Sequence, residues 1–331
     1  MRGFREGIEC RATSYIFGIQ NCKLEEIPAE LKVLLELKAV NFNGNAIRYV
    51  TFENVTQVQS LALKGNGIIS LYKTIDQMKV LQQLYLDNNR ITKIPASING
   101  ASELKTLSLG SNLLQSLPSS FGALAKLNSL NLESNQLTEI KPWIDQLNEL
   151  EYLNLAANGI TNIAAELWQL KQLNYLNLSE NQLKNEGLNL AGKSNALEVL
   201  HLEVNALASF PMKLNNFAAL KYLNLSSNQI ASIPNSLNGL QNLETLILDR
   251  NALQELPVPV GDLKALKYLE LNHNILTSFG AGLNSLDNLE VLKANDNLIS
   301  EIPDDILQLK SLQNIELSGN QLKSLPQIGP H

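Results

Sequence analysis

Asparagine recurs in this sequence at a nearly constant interval, and this regularity constrains the fold more than any other feature. The spacing is 23 residues, except for one step of 21 and one of 24. The aligned residues are Asn45, Asn66, Asn89, Asn112, Asn135, Asn158, Asn181, Asn205, Asn228, Asn251, Asn274, Asn297 and Asn320. Cys22 stands one period before the first of them, which gives fourteen copies. A period of about 20–50 residues is typical of stacked repeats rather than of one ordinary globular core.

Each copy carries leucines around its asparagine in the pattern LxxLxLxxNxLxxLPxxLxxL. The last two leucines of LxxLxL alternate with polar residues, which indicates a short strand with one buried face. Segments such as SLPSSFGAL then place apolar residues three or four apart, with proline near the start. This spacing predicts a 3₁₀ or short helical turn with proline at its first position. We expect each repeated asparagine to be buried and to bond backbone groups that the sheet leaves unpaired.

These motifs resemble the leucine-rich repeat family, and the 23-residue length with LP in the return half resembles its Ras-suppressor group. The resemblance covers nearly the whole chain. It implies an α/β fold, namely a right-handed leucine-rich-repeat solenoid (horseshoe) with a concave parallel β-sheet and 3₁₀ or short helical turns on the convex side. It also implies an intracellular binding scaffold.

The register divides the chain into a partial N-terminal repeat or cap (1–13), a solenoid of about fourteen repeats (14–327) and a tail (328–331). After Leu325 and Pro326 we find no polar capping helix in the sequence, although the end of a solenoid normally needs one. Three explanations stay open at this point. The chain is a domain of a longer protein, its end is covered by a partner, or the last repeat caps itself.

Composition excludes several classes of function. The net charge is −6 and no cluster of Lys or Arg is present, so we expect no nucleic-acid partner. No apolar run has the length of a membrane span. The N-terminal MRGFREGIECRATS lacks the apolar stretch of a signal peptide. With only Cys10 and Cys22, a reducing compartment is favoured. We therefore expect a cytoplasmic protein or, alternatively, one delivered into a host cell without a signal peptide.

The variable positions that face the concave side change character along the chain. Early copies carry small and polar residues there, whereas the copies from Tyr152 to His273 carry exposed aromatic and aliphatic groups beside charges and amides. Tyr and Arg often supply the energy of protein interfaces. The candidate partner-binding residues are Tyr152, Tyr175, Val199, His201, Glu203, Tyr222, Ile247, Asp249, Arg250, Tyr268, Glu270 and His273. The alternative is that these tyrosines only pack on one another along the sheet.

Charge on the concave side favours a protein partner of basic character. The five concave positions of the fourteen copies hold twelve acidic and seven basic residues. Such a field would attract a positive partner and weaken with salt. Ordinary solubilising charge is the alternative.

Candidate catalytic and metal sites are not apparent in the sequence. His201 and His273 lie three repeats apart, roughly 14 Å by strand spacing, which is too far for joint metal ligation. No nucleophile elbow, P-loop or HExxH is present. We therefore expect no catalytic residues, no metal and no cofactor.

Two tryptophans and two cysteines have two interpretations each. Trp143 and Trp168 lie outside the leucine core on the return side, where exposed tryptophans would mark a second contact surface. Alternatively, they fold onto neighbouring returns and fill space there. Cys22 belongs to the buried asparagine column, which favours a reduced structural thiol over a disulfide with Cys10.

The sequence thus favours a non-enzymatic protein–protein interaction scaffold that binds its partner on the concave face. Two alternatives use the same scaffold. One is a sensor or regulatory domain of a larger signalling enzyme, and the other is a bacterial effector that binds and inhibits a target enzyme.

Overall fold

The computed structural model describes residues 16–191, 196–234, 236–256, 258–280 and 282–325. Within them the chain forms two compact units. The first contains residues 16–136 and 146–148, and the second contains Leu137–Asp145 and residues 149–325. The predicted cap (1–13), the tail (328–331) and Cys10 lie outside the described residues.

The first unit is built on a row of parallel three-residue strands that pair in register from one repeat to the next. These strands are β1 (Ile16–Gly18), β2 (Ala39–Asn41), β4 (Ser60–Ala62), β6 (Gln83–Tyr85), β7 (Thr106–Ser108) and β8 (Ser129–Asn131). A second, two-residue pair on the return side joins β3 (Tyr49–Val50) to β5 (Ser70–Leu71). The returns contain 3₁₀ helices η1 (Ala29–Val33), η2 (Phe52–Asn54), η3 (Lys73–Gln77), η4 (Ala96–Gly100) and η5 (Ser119–Ala123).

The second unit repeats this design. Its parallel strands are β10 (Tyr152–Asn154), β12 (Tyr175–Asn177), β13 (Val199–His201), β14 (Tyr222–Asn224), β15 (Thr245–Ile247), β16 (Tyr268–Glu270), β17 (Val291–Lys293) and β18 (Asn314–Glu316). The short strands β9 (Glu139–Ile140) and β11 (Asn162–Ile163) pair on the return side. The returns contain η6 (Pro142–Gln146, which ends at the unit boundary), η7 (Ala165–Gln169), η8 (Glu186–Leu188), η9 (Met212–Asn216), η10 (Val258–Asp262), η11 (Leu283–Ser285) and η12 (Asp304–Gln308). The predicted solenoid of parallel strands and 3₁₀ returns is therefore confirmed.

Leucine fills the interior of each repeat, as its spacing predicts. In β13 and the residue after it, Leu200 and Leu202 are fully buried, while the alternating residues Val199 and His201 face outward and stay partly exposed. Larger apolar side chains such as Phe217 complete the interior beneath the returns. Each buried leucine stabilises the fold by about 1.5–3 kcal/mol, but only because the neighbouring repeat covers it.

The repeated asparagines form the buried backbone-bonding column that the sequence predicts. The side-chain Oδ1 of Asn181 accepts the backbone N–H of Ile160, 3.0 Å away in the preceding repeat. Its Nδ2 donates to the backbone oxygens of Leu155 and Leu178 at 3.0 and 3.1 Å. The same pattern recurs from Asn45 to Asn320. One amide thus satisfies carbonyls on two successive repeats and locks their register.

The proline of the return lies one residue earlier than predicted. Pro28, Pro95, Pro118, Pro211 and Pro303 are the N-caps of their 3₁₀ helices, and within the described returns Pro142 is the example at a first helical position. The backbone at Pro118 is extended at φ −69° and ψ 150°, and its carbonyl accepts the N–H of Phe121 at 3.1 Å. The fixed φ of proline suits this turn into the helix, and the carbonyl begins it.

Cys22 is not buried, contrary to the sequence-based prediction. Its side chain is exposed and free, and its Sγ lies 3.1 Å from the backbone oxygen of Gln20. The expectation fails because β1, which begins this repeat, is an edge strand of the described sheet and pairs with β2 on one side. The backbone N–H of Cys22 still donates to Oδ1 of Asn45 at 3.0 Å, so the column itself begins here.

Candidate functional site

The predicted binding residues lie on the exposed face of the parallel sheet in the second unit, which we call the sheet face. Strand pairing places Tyr152 beside Tyr175, Tyr175 beside Val199, and Val199 beside Tyr222. Because successive residues of a strand point to opposite faces, the leucines between these positions enter the core and the aromatic residues remain outside. The repeat thus converts a spacing of 23 or 24 residues in sequence into direct contact in space.

Four aromatic rings form a continuous row on this face. The rings of Tyr152 and Tyr175 stack at 4.6 Å between centroids, with 11° between their planes. His201 then lies 5.6 Å from Tyr175 and 4.9 Å from Tyr222, in tilted geometry. We call Tyr152, Tyr175, His201 and Tyr222 the aromatic ribbon. All four side chains are half-buried, so ring faces and edges stay open to solvent.

The short side chain of Val199 explains why His201 joins the ribbon. Val199 occupies the strand position at which its neighbours carry Tyr175 and Tyr222. Its side chain cannot bridge the two phenol rings, but His201, two residues along the same strand, fills the gap and contacts both. Aromatic pairs add about 0.5–1.5 kcal/mol beyond burial, so each ring of the row is stabilised by its neighbours.

A carboxylate lies against the ribbon. Oε1 of Glu203 lies 3.2 Å from Nδ1 of His201. Burial raises the pKa of the Tyr222 phenol, and the nearby charge of Glu203 raises it further. The pKa of Tyr175 is raised by burial first and also by Tyr152 and Glu203, while a hydrogen bond with Asn177 opposes the shift. Both phenols are therefore neutral at physiological pH and keep their protons available for hydrogen bonding.

A second set of residues on the sheet face is polar and is centred on Asp249. Its carboxylate accepts the backbone N–H of Asn272 at 2.7 Å, and both carboxylate oxygens accept from the side-chain Nδ2 of Asn272 at 3.1 Å. Burial raises the pKa of Asp249, whereas the bonds from Asn272 lower it in part. Glu270 on the neighbouring strand is held by Lys293, with Oε1 2.9 Å from Nζ. Asp249 and Glu270 are thus built into the sheet and are only partly available to a partner.

The predicted residues fall into two groups rather than one continuous patch. Thr245 stands between Tyr222 and Tyr268 in the pairing of β14, β15 and β16, and no ring contact joins the two tyrosines within the described residues. Tyr268 is 41% exposed and lies nearer to Ile247, Asp249, Arg250 and His273 than to the ribbon in the order of strands. The sequence columns supplied the residues, but the small Thr245 decides where the aromatic row ends.

Val204 lies on this face but is not among the candidate binding residues selected from the sequence. The residue before each repeated asparagine has a positive φ of 52–71° in repeat after repeat, and glycine, asparagine or serine often occupies it. Val204 adopts this left-handed conformation with φ 54° although it is β-branched, and its side chain is 48% exposed. A β-branched residue is a genuine outlier there. Its repeat position would have revealed it, because the other residues in this column tolerate the conformation better.

Trp143 and Trp168 are not exposed, so the expectation of a second contact surface on exposed tryptophans is wrong. Trp143 is 9% and Trp168 is 2% exposed. The indole N–H of Trp168 donates to the backbone oxygen of Leu188 at 2.7 Å, and its ring meets Phe217 edge-on at 5.6 Å. The alternative interpretation describes Trp168 correctly: it fills space between neighbouring returns, because the wide indole reaches across the spacing between repeats.

Metal-binding and membrane-spanning features are absent from the described part of the chain. No group of three or more His, Cys, Asp or Glu residues in it is arranged to hold a metal ion. No helix among the described residues has the length and apolar character needed to cross a bilayer.

Comparison with known proteins relates this architecture to a family. A family model described as "Leucine-rich repeat region" matches residues 54–194 and 188–298. None of the curated proteins compared with the chain matches it. A leucine-rich-repeat protein of Leptospira interrogans is 30% identical with a TM-score of 0.71, and the match covers 92% of this chain and 90% of that one.

Two further solved structures extend this comparison. An internalin of Listeria monocytogenes is 23% identical over 92% of this chain and 81% of its own, with a TM-score of 0.71, which shows a shared fold alone. The plant peptide hormone receptor RGFR1 in complex with RGF2 is 26% identical with a TM-score of 0.70, and this chain spans 54% of the receptor. The extent of the family match decides the assignment: the chain belongs to the leucine-rich repeat family.

Proposed function

We propose that this chain is a non-enzymatic recognition scaffold that binds a protein partner on the sheet face of its second unit. The observation that carries the proposal is the aromatic ribbon. Its four rings are contiguous and partly open to solvent, and they lie on a face formed by variable positions of the repeat. Aromatic side chains of this kind bury a large area at little cost in conformational entropy.

The comparisons support a binding function rather than catalysis. The plant receptor that resembles this chain was solved in complex with RGF2, so the scaffold holds a peptide hormone in that protein. Leucine-rich repeats generally act as interaction scaffolds, and their specificity comes from the variable side chains of the strands. A cytoplasmic location, or delivery into a host cell, is part of this proposal.

Affinity capture followed by measurement with the purified partner tests the proposal. The wild-type chain and a Tyr175→Ala/Tyr222→Ala variant are compared as baits, and the captured protein is then titrated by calorimetry. Each tyrosine at an interface hot spot contributes about 1–2 kcal/mol or more, so the double variant should bind at least about tenfold more weakly.

The chain offers a matched control in Tyr49 and Tyr72, which form a ring pair with centroids 6.1 Å apart in the first unit. Tyr49 is 55% and Tyr72 is 45% exposed, and both lie on the return-side pair of strands or directly after it. A Tyr49→Ala/Tyr72→Ala variant should retain wild-type affinity. Equal affinities for wild type and the Tyr175→Ala/Tyr222→Ala variant would show that the ribbon is not the binding site.

A second proposal is that this scaffold is the sensor domain of a larger signalling protein. The size of the plant receptor favours it, since this chain spans only 54% of that chain. The neighbouring coding sequence tests the idea, because a kinase or GTPase motif in the same reading frame would establish it. A third, a bacterial effector that inhibits an enzyme, uses the same ribbon and predicts that the captured partner loses activity when it is bound.

A further inference from the structure

Negative charge is concentrated on the sheet face of the second unit. Five positions of each repeat face outward, namely the residues seven, six, four, two and one before the repeated asparagine. In the second unit they carry the acidic residues Glu151, Glu180, Glu198, Glu203, Glu244, Asp249, Glu270, Glu290, Asp296 and Glu316. The basic residues at the same positions are Lys221, Arg250, Lys267 and Lys293. In the first unit the corresponding charges are Asp87 and Glu133 against Lys38, Lys64 and Lys105, so that face is not acidic.

Pairing within the sheet removes most of the positive charge from this face. Lys221 bonds Glu198, and Lys267 bonds Glu244, at 2.9 and 2.8 Å. Lys293 bonds Glu270, as described above. Each of these lysines therefore neutralises a glutamate of the preceding strand, and the remaining carboxylates dominate the local field. A positively charged partner group is attracted to such a face, whereas a negatively charged one is repelled.

Glu203 is the carboxylate placed best to receive that charge. One of its oxygens is near Nδ1 of His201, but the other, Oε2, is buried and has no hydrogen-bond partner among the described residues. A buried acceptor without a donor is unfavourable, because it has lost its hydrogen bonds to water and gained none in return. The side chain nevertheless keeps 21% of its surface exposed, and rotation about its last torsion exchanges the two oxygens.

The surroundings of Glu203 are aromatic and apolar on the sides that a partner would touch. Its carboxylate lies 3.2 Å from the imidazole of His201, whose ring contacts both Tyr175 and Tyr222. The next residue, Val204, is 48% exposed and held in a strained backbone conformation. Glu180 on the preceding repeat is exposed, and its backbone N–H donates to the backbone oxygen of Glu203 at 2.9 Å. Flat rings and the Glu203 carboxylate thus occur together, and the backbone of the acidic residue Glu180 adjoins that of Glu203.

We propose that the aromatic ribbon and Glu203 receive an arginine side chain from an extended segment of the protein partner. The guanidinium lies over a phenol ring and donates to the Glu203 carboxylate, while its aliphatic stem covers Val204. Arginine fits better than lysine, because its planar group stacks on aromatic faces and presents several donors in one plane. This inference rests on the proposed function, and it names the chemistry that the sheet face recognises.

Selection of random peptides displayed on phage, with the intact chain as bait, tests the inference and does not require the natural partner. We expect arginine to be enriched at one position of the selected peptides. In calorimetry, replacing that arginine by citrulline, which has nearly the same shape without the charge, should weaken binding by about tenfold or more. Replacement by lysine should weaken binding less.

A double-mutant cycle locates the arginine. Glu203→Gln keeps the shape of the side chain and should weaken binding of the arginine peptide about tenfold, with little further loss for the citrulline peptide. Glu133→Gln, which removes a sheet-face carboxylate of the first unit, is the matched control and should leave the affinity unchanged. Additive losses in the cycle would show that the arginine is bound elsewhere.

The outcomes separate this inference from the proposed function. Peptides that lose affinity for the Tyr175→Ala/Tyr222→Ala variant but are indifferent to citrulline and to Glu203→Gln would overturn the inference and leave the ribbon as the binding site. Peptides that bind this double variant as well as wild type would contradict both. A selection that gives no peptide binder overturns the inference, and the capture experiment then decides on the proposed function alone.

Discussion

At the scale of single residues, the repeated asparagine and the residue before it are constrained in different ways, the first by its side chain and the second by its backbone. The asparagine must have an amide side chain, because Oδ1 and Nδ2 both serve the backbone of two successive repeats. The residue before it must adopt a positive φ, which only some side chains tolerate. Most copies place glycine or a small polar residue there, which limits the strain.

Val204 is the only β-branched residue in this column of the described repeats, and we expect its replacement to stabilise the fold. Val204→Gly removes a β-branched side chain from a backbone position with φ 54°. Glycine also increases the entropy of the unfolded chain, which opposes this stabilisation. The net free energy of unfolding should increase by about 0.5–1 kcal/mol. Val204→Asn should do the same with a smaller entropic loss. Urea unfolding measures both.

Val199→Gly is the control for this prediction. Val199 lies in the extended strand β13, where glycine only removes packing and adds freedom to the unfolded chain. It should destabilise the fold, and a stabilisation of similar size by all three variants would show that φ at position 204 is not the cause.

The tyrosines of the ribbon give a prediction for alkaline pH. Tyr175 and Tyr222 have raised pKa values, first because of burial and then because of nearby charges that include Glu203. The folded state therefore holds these protons more tightly than the unfolded state. Their contribution to stability is complete below the pKa of an unfolded tyrosine and is lost as the pH rises through the folded pKa.

Absorbance of tyrosinate against pH measures this directly. The late part of the titration should disappear in a Tyr175→Phe/Tyr222→Phe variant. A titration of this variant that still shows the full late part would mean that other tyrosines are responsible.

At the scale of elements, the returns pack closely on one another, and a few glycines allow this contact. A Cβ atom added at Gly239 would lie 1.7 Å from the backbone oxygen of Asn215 in the preceding return. Backbone cannot yield as a flexible side chain does, so neighbouring returns would have to separate. The buried indole of Trp168 shows the same closeness, since it reaches the backbone of the next return.

We therefore expect Gly239→Ala to lower the free energy of unfolding by about 1–3 kcal/mol, the range typical of overpacked interiors. Gly159→Ala is the matched control, because a Cβ there would lie 3.6 Å from the nearest atom, which is an ordinary contact. Chemical denaturation of the two variants measures the difference. A loss of the same size in both would point to the general cost of changing glycine rather than to the contact with Asn215.

At the scale of the whole molecule, stability is a sum over repeats and the interfaces between them. Buried asparagines couple each repeat to the previous one, and the leucines of one repeat are covered only by its neighbours. A substitution in one repeat should therefore lower the local stability of the nearest repeats most and that of distant repeats little.

Asn181→Ala tests this within the second unit. The change leaves the N–H of Ile160 without its acceptor, at a cost of about 1–3 kcal/mol if the group stays buried. It also removes one of the two amides that donate to each of the Leu155 and Leu178 oxygens, which keep Asn158 and Asn205 respectively. In hydrogen exchange, the amides of Leu155, Leu178 and Leu202 should lose protection, while that of Leu292 should change little. A uniform loss throughout the unit would show that it unfolds as one cooperative body.

The sequence by itself determined the stacking of repeats, the burial of leucine and the role of asparagine, because each of these depends on a local pattern that recurs with a fixed period. It also selected the strand positions that face outward. It did not determine which outward residues touch, because contact between neighbouring strands depends on the size of each side chain and on the backbone around it.

Only the tertiary structure decided the remaining points. It showed that Val199 lets His201 join Tyr175 to Tyr222, that Thr245 ends the row, and that Trp168 is buried between returns. It also showed that Cys22 is exposed, because burial in a solenoid comes from the neighbouring repeat rather than from the residue itself. The period of the sequence determines the position of each residue in its repeat. The packing of adjacent repeats determines which other residues its side chain contacts.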